Sequence, residues 1–204
     1  MPGKQIYINR EQAIKKAQAY LVSRNFDLTG YKVSTGLSNS FPQYDDAQYI
    51  YEQLGFDKTK KLIQQRQHTF MWDVRFIKPL SPTEYRCTFD ENGKFIGLGY
   101  NKGEDDPGAN LTQKEAQLIA ENDLKAHPRI NPFVLDDTSV EKRKNRTDYH
   151  FTFKVPKLKV KDADFKIRID VMGDVAANRL TGWDVPDEWS WKRSKHTTRE
   201  EVFI

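Results

Sequence analysis

The sequence is short of the residues that usually announce a chemistry. It has one cysteine, Cys87, so no disulfide can form within the chain, and such a chain suits either side of a membrane. Cys87 lies in the strand-like run EYRCTFD with no histidine beside it, which reads as a buried, inert thiol. The four histidines, His68, His127, His150 and His196, are scattered, with no HExxH and no close metal-binding pair. His127, before Pro128, reads as a cation at a helix end. His150 reads as a residue of a strand's polar face. No glycine-rich loop opens a helix, so no phosphate cradle is expected, and no GxSxG elbow is present. The acidic pairs in YDDA, GEDDPG and LDDTS lack the oxygen spacing of a calcium loop, and turn chemistry accounts for them. The sequence therefore predicts no catalytic residue, no metal site and no cofactor.

Long apolar runs are missing too. Nothing approaches the ~20 residues that span a bilayer, and no secretory apolar segment stands at the start. An excess of one charge is also absent: 33 basic residues face 29 acidic ones. The densest basic run, EKRKNR, is short and contains an acid, so no nucleic-acid partner is expected.

What is present is enough apolar and aromatic material, 37% and 12% of 204 residues, for one large domain or two small ones. Ala13, Ile14, Ala17, Tyr20 and Leu21 recur at helical spacing, with Asn9 and Gln12 placed as a capping box. A turn, a short strand and a helical stretch broken at Gly55 follow. From Phe70 the period becomes two: Phe70, Trp72, Val74 and Phe76 face one way, Met71, Asp73, Arg75 and Ile77 the other. EYRCTFDENGKFIGLGYN reads as a hairpin turning at Asn92-Gly93, both taken to accept positive φ. After the polar loop KGEDDPGAN the order repeats. Thr112 and Glu115 cap a helix bearing Ala116, Ile119, Ala120 and Leu124. Alternating strands follow, with a hairpin turn at Gly173.

The chain thus reads as an α+β protein of two like units, each a helix packed on an antiparallel β-meander. The first spans 9–101 with an inserted helix, 102–110 links them, the second spans 111–186, and 187–204 is a charged tail containing tryptophan. The polar quartet Asn145, Arg146, Thr147 and Asp148 precedes an aromatic strand. It reads either as a structural knot or as part of a binding site. The candidate binding residues are Trp72, Arg75, Asn145, Arg146, Asp148 and Trp183. Trp183 is expected to be buried, and Trp189 and Trp191 are left between burial and a membrane-facing surface.

This plan resembles tandem PepSY/cystatin-like domains. NRTDYHFTF, followed by GWDVPDEWSWK, resembles the extracytoplasmic amino-terminal region of bacterial CPBP (CAAX-protease/bacteriocin-processing) membrane proteins. AIKKAQAYLVSRNFDLTGYKV, YIYEQLGF and MWDVRFIKPLSPTEYRCTFDENGKFIG extend the match over nearly the whole chain. The resemblance implies a non-catalytic module outside the cytoplasm, tethered to a membrane in a longer protein. Its partner would be a peptide or protein, the membrane domain of the same chain among them. That family's glutamate and histidine chemistry lies in membrane helices and transfers to no residue here, the Glu200-Glu201 pair included. A peptidase inhibitor or chaperone is the alternative.

Overall fold

The computed structural model describes residues 6–39, 44–64, 70–127 and 130–193; His68, His196, Glu200 and Glu201 lie outside them. The chain runs α1 (Arg10–Ser23), β1 (Lys32–Asn39), α2 (Tyr44–Leu54), α3 (Phe56–Gln64), β2 (Phe70–Ile77), β3 (Glu84–Asp90) and β4 (Phe95–Asn101). It continues through α4 (Gln113–Lys125), β5 (Val134–Lys142), β6 (Thr147–Lys154), β7 (Asp164–Met172) and β8 (Val175–Asp184). The strands form two four-stranded antiparallel sheets, β1-β2-β3-β4 and β5-β6-β7-β8, each covered by a helix, an α+β fold.

The two covering helices obey one rule. In α1 the Asn9 side chain accepts from the Gln12 N–H while the Gln12 side chain accepts from the Asn9 N–H; Thr112 and Glu115 repeat this for α4. Counted from either cap, residues four, eight and twelve are Ala, Ala and Leu, and all six are fully buried. Small residues at the first two positions let the helix axis lie close to its sheet, and leucine fills the wider end. The sheets answer with alternating aromatics: Val74, Phe76, Tyr85, Cys87 and Phe89 in the first core, Tyr149, Phe151, Phe153, Ile167 and Ile169 in the second.

Two sequence expectations change in detail. At the β3–β4 hairpin only Gly93 takes positive φ, at 77°. Gly93 N–H donates to Asp90 O, and the Asp90 carboxylate accepts from the Asn92 and Lys94 N–H groups. The asparagine supplies an N–H rather than an αL backbone, and a bulge at Thr88/Phe89 takes up the extra residue. The inserted helical segment, two helices broken at Gly55 (φ 75°), does not complete the unit that contains it. Tyr49 and Ile50 of α2 are buried in the second core, with Leu54 and Leu62 packed against it. Asp46 accepts the Trp183 N–H at 3.0 Å. A strap from the first unit thus crosses to the second. Residues 187–193, at the start of the predicted tail, are helical, and Trp189 meets Tyr49 edge-on while donating to Glu52.

Candidate functional site

The six residues singled out from sequence fall into three places. Asn145, Arg146 and Asp148 lie together. Arg146 is 1% exposed; its Nε reaches both Asp148 oxygens at 2.9 and 3.0 Å, and its Nη1 donates to the carbonyls of Gly103 and Asp106 at 2.7 Å. Asn145 donates to Asp105 O, and Thr147 Oγ1 to Asn110 Oδ1. Asp148 also accepts the Gly173 N–H. Asp106, in turn, accepts from Gly103 N and from Thr83 Oγ1 of the β2–β3 loop. Residues 102–110, read as a linker, are therefore pinned to both units. The three buried members, Arg146, Thr147 and Asp148, find partners inside the chain, which is how buried polar groups are normally accommodated, while Asn145 is exposed.

Arg75 stands apart on the outer face of the first sheet, in a two-pronged pair with Glu84 at 2.6 and 2.9 Å. Hydrogen bonding from Arg75 holds the Glu84 carboxyl below the usual carboxylate range. Trp72 packs on the first core from its edge. Trp183 is buried in the second, donating to Leu158 O at 2.8 Å and meeting Phe165 edge-on.

A recess lies elsewhere, where the two units meet. Strand β4 and strand β8 are stitched together at one end. Asn178, at a bulge in β8 with φ 53°, accepts the Tyr100 N–H at 2.9 Å and donates to Tyr100 O at 3.0 Å, acting as a one-residue substitute strand. Arg179 beside it donates to Ile96 O of β4 and, at 2.6 Å, to Asp123 of α4. These two side chains close the edge of β4 against unwanted pairing. They also bound a cleft of about 800 Å³, within the size range of ligand sites. Its floor is the outer face of β4, where Gly97 and Gly99 place no side chain of their own on either side of the inward Leu98, with Arg179 beside the first and Arg86 beside the second. One wall carries Arg86, Thr88 and Asp73; Asp73 is oriented by Thr88 at 2.9 Å and Ser38 at 2.8 Å. The other wall is Leu180 and Thr181 of β8, and His127 stands among the lining groups. Burial, with Arg179 nearby, holds the His127 imidazole below its ordinary pKa, so it enters the cleft neutral rather than as the cation expected at the helix end.

Sequence reasoning missed one constellation. Ser139, His150 and Asp170 lie side by side across β5, β6 and β7, and His150 Nδ1 is 2.7 Å from Asp170 Oδ1. The row comes from strand register, so sequence spacing gives no sign of it. It sits on an open sheet face, where the backbone N–H groups lie in the plane of the sheet and do not converge above it on a point where an oxyanion would form. Asp170 is shared with Asn178, which ties this row to the β4 clamp. Among the described residues no group of three His, Cys, Asp or Glu is placed to hold a metal ion, and no helix is long and apolar enough to cross a membrane.

Cys87 is fully buried under α1, and burial pushes its thiol up to about 12. A thiol-specific reagent at pH 8 is expected to leave the native protein unmodified and to label it at once in denaturant. The unfolded thiol ionises near its ordinary value of 9.0, so between there and about 12 the unfolded chain releases a proton that the folded chain keeps. Stability therefore falls as pH rises through that window, by up to about 1.4 kcal/mol per pH unit from this group.

Comparison with protein-family models, with curated proteins and with solved structures returned no match.

Proposed function

We propose that this chain is a non-catalytic binding module whose cleft between the two units takes an extended peptide segment of a protein partner. The observation that carries this reading is the glycine floor. Gly97 and Gly99 place no side chain of their own on the strand that floors a cleft of about 800 Å³ walled by both units. The stretch of β4 from Phe95 to Gly99 runs about 16 Å, room for roughly five extended residues. Polar groups at its sides, Arg86 and Thr88 facing Thr181, would orient the segment, while Leu180 gives it apolar contact. The resemblance to the outer region of CPBP-type membrane proteins supports a place outside the cytoplasm, tethered to a membrane. The membrane domain of the same chain is then one source of the bound segment. A PepSY-like peptidase inhibitor would use the same cleft on a peptidase.

Gly97 offers the test. A Cβ there meets only the Arg179 guanidinium, at 3.6 Å, and no backbone, so a larger side chain enters the cleft against a side chain rather than against the sheet. Peptides selected from a random display library against the wild-type protein are expected to lose binding to Gly97→Trp by at least about tenfold. Selected peptides that bind this variant unchanged would overturn the reading. Stoichiometric inhibition of a membrane or secreted peptidase, also lost in Gly97→Trp, would favour the inhibitor. Fractionation of cells expressing the native gene tests the location: the product is expected with the membranes and open to protease added outside.

A further inference from the structure

The open edge of the second sheet carries a separate inference, independent of the cleft. Strand β5 is the outermost strand there, and seven of its nine residues are exposed. Helix α4 lies over β6, β7 and β8 and leaves β5 uncovered. The edge of β4 is closed by Asn178 and Arg179, but among the described residues nothing comparable closes β5. An edge strand is ordinarily blunted by a bulge, charged side chains, a proline or a covering element, and of these β5 has a bulge and the charges of Asp136, Asp137, Glu141 and Lys142. The bulge of β5 lies at Leu135/Asp137, and beyond it Asp137–Lys142 pair with β6 in unbroken register.

The two faces of that regular stretch differ. On the helix side, Thr138 and Val140 extend the rows of Phe151 and Tyr149. Val140 is 54% exposed although Tyr149 beside it is 7% exposed, so the apolar layer runs out to the edge with no cover from the described residues. On the outer side stand Asp137, Ser139 and Glu141. No cation of the described residues pairs with Asp137, whereas Glu141 holds Arg143 at 2.6 Å. A second copy fits poorly in two registers, and in a third, about Val140, Asp137 would face Arg143, which Glu141 already holds. Antiparallel pairing of two β5 strands about Ser139 sets Asp137 against Glu141 twice, and pairing about Thr138 sets Leu135 against Glu141 and Asp136 against Val140.

We propose that β5 accepts an added strand from a partner. That segment alternates aliphatic residues, laid beside Thr138 and Val140, with basic residues four positions apart that meet Asp137 and Glu141. Backbone hydrogen bonds to the open edge supply most of the affinity, and the charges set register and partner choice.

The probe is a fluorescein-labelled heptapeptide, Val-Lys-Val-Ser-Val-Lys-Val, blocked at both ends, followed by fluorescence anisotropy. The wild-type protein is expected to bind it at least about tenfold more tightly than the same peptide with both lysines replaced by glutamate, with the gap shrinking as salt is added. In the double variant Asp137→Lys/Ser139→Lys, both positions being exposed, the preference is expected to reverse while near-UV circular dichroism stays unchanged. Gly97→Trp is expected to leave this binding as it was. Equal binding of both peptides, or a preference the double variant does not move, would overturn the proposal. So would loss of binding in Gly97→Trp, which would assign the peptide to the cleft, or a wild-type dimer in sedimentation that the double variant dissolves.

Discussion

Replacing Arg146 with methionine is expected to cost about 4 kcal/mol of stability, a fall in Tm on the order of 10 °C for a chain of this size. Methionine fills much of the space but removes the nearer of the two cations beside the Asp148 carboxylate, which is 2% exposed, and leaves it only Arg143 Nε at 3.6 Å. It also leaves the carbonyls of Gly103 and Asp106 without their charged donor. Breaking a buried pair from one side is far more damaging than replacing both members. The double variant Arg146→Met/Asp148→Leu is therefore expected to be the more stable of the two, and Gly173 N–H keeps Thr147 O at 3.3 Å as an acceptor. Thermal melts of the three proteins check this. A single variant within about 1 kcal/mol of wild type would mean that the quartet does not hold residues 102–110 in place. Lysine is expected to rescue poorly, because one ammonium cannot reach the Asp148 carboxylate and the loop carbonyls in the planar array that guanidinium provides.

Ile50→Ala is expected to cost about 3 kcal/mol, and the place where the loss appears matters more than its size. Ile50 belongs by sequence to the first unit, inserted between β1 and β2, yet it is fully buried in the second core beside Tyr49. Hydrogen exchange is accordingly expected to quicken in β6, β7 and α4 more than in β2 and β3. The same experiment on Ala17→Gly in α1, which packs on the first sheet, is expected to give the opposite map. If Ile50→Ala instead loosened β2 and β3 alone, the strap would not be completing the second core. The arrangement also predicts that the second unit expressed without residues 44–64 exposes an apolar patch over the site of Tyr49 and Ile50 and binds hydrophobic dyes.

Local chemistry was legible in the sequence and partnership was not. Both capping boxes follow from residues three apart, and both helices bury the stripe that their period marks. The strands from Phe70 and from Thr147 keep the alternation that one covered face demands. The sequence marks the segment holding Tyr49 and Ile50 as helical, but nothing in it says that these two residues pack in the second core, because a helical period carries no address. The quartet at Asn145–Asp148 was readable as polar groups needing partners. Its partners are backbone carbonyls some forty residues earlier, which have no sequence signature at all. Asn178 looked like one more residue of a strand, and only its positive φ and the closeness of β4 turn its amide into a clamp. The cleft depends on that clamp and on two glycines that read as part of a strand end. Ser139, His150 and Asp170 meet only because three strands pair in one register.

The central claim is that the protein binds an extended segment between its units. The most direct measurement is an amide NMR titration of the labelled protein with a peptide selected from the display library. The account predicts that the largest shifts fall on Thr88, Gly97, Gly99, Leu180 and Thr181, facing each other across the cleft. Shifts confined to helices α2 and α3, or to β5, or the absence of any peptide that moves the cleft amides, would contradict it.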